Sequence, residues 1–176
     1  MKLLIVVDYQ NDFVSGSLGF SKSPALEDKI CRKIAEYYHS NDDVLYTMDT
    51  HDDSYLQTEE GLNLPIKHTL KDTFGWQLYG KVKSTVKATN QCLEKNTFGS
   101  SLLATHLQTK TYQEIELVGV VTNMCVIANA VIAKTFNPNA VITVDAACCA
   151  SFDEALHNKS LDVMESLHIK IKNRKI

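Results

Sequence analysis

The sequence predicts an α/β fold: one domain built on a largely parallel sheet with helices on both faces. Two observations carry this. Short apolar runs alternate with segments of helical period along the whole chain, the pattern of strands joined by crossover helices. Several runs are continuously apolar, as strands buried on both faces must be. With 176 residues and 44% hydrophobic content the chain can bury one core. No repeat, linker or low-complexity segment divides it.

The first strand is "KLLIVV" (2–7). Its apolar stretch superficially resembles a signal peptide, but Asp8 cuts it short and no small-residue cleavage site follows. A helix is expected over 25–39, where Leu26, Ile30, Ile34 and Tyr37/Tyr38 recur at helical spacing behind Pro24, a residue suited to a first turn. "DVLYTM" (43–48) is the second strand. The interval 49–88 has Pro65, several glycines and few clean periods; so long an irregular stretch in a compact domain is usually functional or disordered, and its histidines and aromatics favour function. "TNQCLE" (89–94) and a short helix over 100–108 follow. "EIELVGVV" (114–121) leads into helix 123–136, apolar on nearly all sides. "AVITVD" (140–145) is the fifth strand, and "DAACCASF" reads as a small-residue turn after it. Helix 152–167 places Phe152, Ala155, Leu156, Leu161, Met164 and Leu167 along one side, and "HIKIKN" (168–173) is the last strand.

Composition removes several function classes. Net charge is −3 and the basic residues are scattered, so nucleic-acid binding has no electrostatic footprint. The C-terminal Lys170, Lys172, Arg174 and Lys175 read as a solvated end. No apolar run reaches the ~18 residues of a membrane span. Five cysteines without framework spacing point to free thiols and a cytoplasmic protein. Vicinal Cys148 and Cys149 raise a redox role, which a strained ring between neighbours disfavours. The apolar surface of helix 123–136 points either to a homo-oligomer or to a helix buried centrally.

In open α/β sheets ligands bind beyond the carboxyl ends of the strands. Asp8 ends the first strand, Asp49 and His51 follow the second, Lys95 ends the third and Cys125 follows the fourth. Alone, each is ordinarily a turn residue, a solvated amine or a small hydrophobe; their coincidence on one rim is the signal. If Thr122 and Asn123 start a helix, Cys125 lies in its first turn. Unpaired N–H groups and the helix dipole there favour a thiolate and can receive an oxyanion. Asp8 could take or direct the thiol proton, with Lys95 balancing charge. Asp49-x-His51 on an extended segment points both side chains one way; with Glu59/Glu60 and His68 the set suits zinc, iron or manganese. His39, His106, His157 and His168 carry no such signal.

These motifs resemble the isochorismatase-like cysteine hydrolases, and within them the nicotinamidase branch, over nearly the whole of 1–176 as a single domain. "IVVDYQNDF" is similar to the first-strand motif with the acid/base Asp, here Asp8; "EKNTFGSS" to the segment with the triad lysine, here Lys95; "GVVTNMCV" to the nucleophile motif, here Cys125. The resemblance implies a Rossmann-like three-layer fold, a six-stranded mostly parallel sheet in the order 3-2-1-4-5-6. It also implies a non-proline cis peptide between Val120 and Val121, and an oxyanion hole from the amides of Val121 and Cys125. Metal ligands map onto Asp49, His51 and His68, with Glu60 as a fourth in some members, and Phe13 onto the substrate pocket. Two departures stand out. "IKHT" replaces the family's "P-H-C" at His68, and no tryptophan precedes His68, Trp76 coming later. The implied reaction is hydrolysis of a small amide, nicotinamide foremost, through a thioester, with a divalent metal orienting the ring. A carbamoyl or ureido substrate is the alternative within the family. Isochorismate hydrolysis fits less well, because that branch lacks the cysteine. A catalytically silent binding module would have no reason to keep Asp8, Lys95 and Cys125 together.

Overall fold

The computed structural model describes residues 1–174. Strands β1 (Lys2–Val7), β2 (Asp43–Asp49), β3 (Gln91–Lys95), β4 (Glu114–Val120), β5 (Val141–Ala150) and β6 (Lys170–Lys172) form one sheet in the order 3-2-1-4-5-6. Every neighbouring pair is parallel, so the sheet is parallel throughout rather than mostly. The helices are α1 (Asn11–Val14), α2 (Glu27–His39), α3 (Glu59–Asn63), α4 (Gly80–Ser84), α5 (Ser101–Thr109), α6 (Ile127–Phe136) and α7 (Glu154–Ser166).

Central β1 shows why the layers form. Successive side chains point to opposite faces of a strand. Leu3, Ile5 and Val7 therefore enter one core with Leu103 of α5, Ala130 of α6 and Leu161 of α7. Leu4 and Val6 enter the other with Ile30 and Ile34 of α2 and Val82 of α4. All five strand residues are completely buried, which matches their unbroken apolar run. The buried carboxylate in β4, Glu116, is met by the Tyr37 hydroxyl at 2.9 Å and Lys33 at 3.2 Å. Ser100 and Asp153 cap α5 and α7 through bonds from Leu103 and Leu156 N–H. α6 lies between α5 and α7, so its apolar character is explained in good part within one chain.

Two expectations are corrected. "AACCA" is not a turn but the continuation of β5 through Ala150, pairing with β4 as Gly119↔Cys149 and Val120↔Ala150. A register shift between Leu117 and Gly119 admits the extension, and small residues have too little strand propensity to announce it. Gly119 permits the close approach: its φ is +118°, and a Cβ there would lie 2.1 Å from the Val7 carbonyl oxygen. Cys148 and Cys149 are buried in opposite cores, and all five cysteines are unpaired. The basic end is not simply solvated. Lys170 and Lys172 are exposed on β6, but Arg174 is held by Asp162 and Glu165 at 2.7 and 3.3 Å; Lys175 lies outside the described residues. Among those residues, no helix is long and apolar enough to cross a membrane.

Candidate active site

The parallel sheet delivers its strand ends to one rim. Asp8 leaves β1 with φ +46°, a left-handed conformation that Asp tolerates better than most residues yet still at a cost. It is completely buried. Its Oδ1 accepts the Thr47 hydroxyl at 2.7 Å, and its Oδ2 lies 2.7 Å from Lys95 Nζ. β3 and β1 are two strand spacings apart, about 10 Å, and the Lys95 and Asp8 side chains close that gap from opposite sides of β2. On the way the lysine meets Asp49 Oδ1 at 3.0 Å and donates to the Thr97 carbonyl at 2.9 Å. Its ammonium stands 3.6 Å from Cys125 Sγ.

Cys125 sits in a single π-helical turn, Thr122–Val126, that precedes α6. Met124 and Val126 N–H both donate to the Val121 carbonyl, at 3.1 and 3.2 Å. Inserted turns of this kind recur at functional sites. The Val120–Val121 peptide is cis. The electrostatics correct the expectation of a resting thiolate. Burial pushes the thiol well above its ordinary range; Lys95 opposes this, but Asp8 and Asp49 add to it. Two carboxylates and a dry setting outweigh a helix start. Burial also raises Asp8, against the pull of Lys95. Lys95 is held well above its ordinary value, because Asp8, Cys125 and Asp49 overcome its own burial.

Beside this trio, Asp49, His51 and His68 place their ligand atoms within 4.8 Å of one another, all three buried. Asp49 Oδ2 lies 3.0 Å from His51 Nε2 and 3.3 Å from His68 Nε2, while accepting the Thr69 hydroxyl at 2.8 Å. His68 Nδ1 is 2.8 Å from the Ile66 carbonyl. A carbonyl can only accept, so Nδ1 carries the proton, and in the neutral ring it is Nε2 that offers a lone pair to the cluster. Two buried atoms here have no hydrogen-bond partner, His51 Nε2 and Glu60 Oε2. Glu60 Oε1 is 3.8 Å from both imidazole Nε2 atoms. Buried imidazole and carboxylate donors left without partners fit a divalent cation. Burial alone would raise Asp49, but the two imidazoles and Lys95 hold it well below the usual carboxylate range; burial and Asp49 raise Glu60.

A cavity of about 330 Å³ opens onto both groups, lined by Asp49, Glu60, His68 and Cys125 on its polar side and by Phe13, Val121 and Met124 among its apolar walls. Two other cavities, of about 360 and 400 Å³, lie beside Met1 and Tyr38 and beside Lys29 and Arg174; neither is lined by Cys125 or the orphaned donors. Trp76 is not among the residues lining the 330 Å³ cavity, and gives its indole N–H to Thr50 at 2.8 Å.

Sequence reasoning missed four supporting residues. Gln10 brackets Asp49, accepting its N–H and donating to its carbonyl, both at 2.8 Å. Asn11 donates to the Phe74 carbonyl and Asp12 accepts from Thr69 N–H, each at 2.7 Å. Three successive polar residues thus fix the irregular segment that carries His68. Asn129, completely buried in α6, accepts from Ser100 N–H at 3.0 Å and donates to the Phe98 and Cys125 carbonyls at 3.1 and 2.8 Å. It ties the segment after Lys95 to the turn that holds Cys125; the signal was a lone amide inside an apolar helix. Asn129→Leu, similar in volume but unable to make any of these bonds, is expected to cost about 2–4 kcal/mol of stability through stranded backbone groups. Urea unfolding measures that loss, and a variant as stable as wild type would refute the tie.

The comparisons bear on the family and the fold. The family model of the isochorismatase domain matches residues 2–171. The isochorismatase family protein PncA of Bacillus subtilis (strain 168) is 31% identical over 167 residues, covering 89% of this chain and 90% of that protein. Among solved structures, nicotinamidase PncA from Bacillus subtilis superposes with a TM-score of 0.86 at 25% identity, over 98% of this chain and 99% of that one. Pyrazinamidase of Pyrococcus horikoshii, in complex with zinc, gives a TM-score of 0.84 at 21% identity, over 97% of each chain, a likeness of fold. A domain match that runs almost from end to end, with a relative covered just as fully, settles the affiliation: the chain belongs to the isochorismatase family.

Proposed function

We propose that the protein is a cysteine-dependent amidohydrolase that converts nicotinamide and water to nicotinate and ammonia. One observation carries the reading: a buried carboxylate, ammonium and thiol meet at an apolar pocket whose polar flank holds unpartnered imidazole and carboxylate donors. In this reading Asp8 accepts the thiol proton as Cys125 Sγ attacks the amide carbon. The thiol is held neutral at rest, so proton transfer accompanies attack and needs the carboxylate alongside. The N–H groups of Val121 and Cys125 receive the oxyanion. Asp8 returns the proton to departing ammonia, water then cleaves the thioester, and Lys95 keeps the carboxylate charge balanced. Asp49, His51 and His68, with Glu60 in reach, would hold zinc, iron or manganese, which when bound supplies Lewis acidity toward a ring nitrogen and water.

The pocket favours nicotinamide over a carbamoyl or ureido acid. Such acids carry a carboxylate, and among the described residues no lysine or arginine lines the cavity; nearby Lys95 is committed to Asp8 and Asp49. Five unpaired cysteines support the expected cytoplasmic setting. The test is ammonia release from nicotinamide and from an N-carbamoyl amino acid, with metal analysis of the same sample. Nicotinamide should be the substrate, and chelation should raise its KM about tenfold or more. Release from the carbamoyl compound alone, or indifference to chelation with no metal bound, would displace this reading.

A further inference from the structure

The pocket has an aromatic flank that the reaction above leaves unused. Its polar groups gather over β2, where Asp49 ends the strand, and Cys125 follows β4. Phe152 follows β5, three strand spacings from β2, or about 14 Å across the sheet. There its ring meets Phe20, from the connection between α1 and α2, edge to face, with centroids 6.4 Å apart and planes at 81°. Lys22 and Glu154 pair between the same two segments. Both phenylalanines line the cavity, yet Phe152 is 59% exposed. An aromatic surface that lines a pocket and remains uncovered is available to an apolar part of a ligand.

Resting on the nicotinamidase reading, we propose that Phe20 and Phe152 are specificity-determining residues that cover an apolar extension of the substrate. The site would then accept aromatic carboxamides whose second ring lies on the edge away from the ring nitrogen. With the amide carbon at Cys125 and the nitrogen, the ring's only Lewis base, toward the carboxylate and imidazole flank, the opposite edge faces this pair. A volume of about 330 Å³ falls within the range that holds drug-sized ligands.

Two bicyclic amides separate the edges. Isoquinoline-4-carboxamide carries its second ring away from the nitrogen, and quinoline-3-carboxamide carries it beside the nitrogen. Wild type should turn over the isoquinoline within about tenfold of nicotinamide and the quinoline about a hundredfold less well. Phe152→Ala should lower kcat/KM for the isoquinoline about tenfold while moving nicotinamide less than about twofold, with Phe152→Leu between. The dissociation constant of the isoquinoline, measured by calorimetry on a Cys125→Ala background, should rise by the same factor in Phe152→Ala. Equal effects of Phe152→Ala on both substrates, or turnover of nicotinamide without the isoquinoline, would overturn the assignment. Failure on nicotinamide itself would instead sink the underlying reading, and the calorimetric comparison would still decide on the aromatic pair.

Discussion

A Cys125→Ala variant should fold, bind nicotinamide and release ammonia at least about 10⁴-fold more slowly than wild type. The size of the loss follows from what remains. Without the sulfur no thioester can form, so hydrolysis must proceed by direct attack of water, assisted only by binding and by the N–H groups proposed to receive the oxyanion. The fold should survive, because the substitution removes one atom at the edge of a cavity that already exists, a loss of about 1–2 kcal/mol by the usual scale of large-to-small changes. Lys95 keeps Asp8 at 2.7 Å, Asp49 at 3.0 Å and the Thr97 carbonyl at 2.9 Å, so no buried charge is stranded. Calorimetric binding of nicotinamide by the variant separates loss of chemistry from loss of the site. Residual turnover within about a hundredfold of wild type would mean that the sulfur is not the attacking atom.

Much of this was legible because strand ends are legible. Asp8, Asp49 and Cys125 stand at or just beyond the ends of strands whose apolar runs are unmistakable, Lys95 ends the shorter and more polar β3, and the parallel topology brings those ends to one rim whatever the loops do. His51 came with Asp49 by the two-residue period of an extended chain. The unread parts share a different cause. Gln10, Asn11 and Asp12 act through backbone groups 39 to 63 residues away, and nothing local marks a side chain that holds a distant backbone group. The extension of β5 through Ala150 depends on a register shift against β4 and on Gly119 giving way to the Val7 carbonyl, which is information held between strands. The resting charge of Cys125 was misjudged for the same reason: the helix start is visible in sequence, whereas burial and the summed field of two carboxylates exist only once the chain is folded.

Asp8→Asn should produce two changes of opposite sign. Turnover should fall about 10²–10⁴-fold, the usual worth of a positioned proton acceptor, because the carboxamide cannot take the thiol proton. At the same time Cys125 should alkylate faster at neutral pH. Asp8 raises the thiol through its charge and its hydrogen bond, while Lys95 lowers it; removing the first leaves the second less opposed, so the thiolate fraction increases. The substitution is close to isosteric, and Lys95 retains Asp49 at 3.0 Å. One of the two carboxylates around a single ammonium is removed, which brings the three groups from a surplus negative charge to balance, so the variant should remain folded. Iodoacetamide labelling, read by mass spectrometry on the peptide that contains Cys125, distinguishes this thiol from Cys31 and Cys92, and ammonia release gives the catalytic half. A merely structural role for Asp8 would slow both reactions together as the site loosened. Only a carboxylate that holds the proton on sulfur until the substrate arrives makes a slower enzyme with a more reactive cysteine.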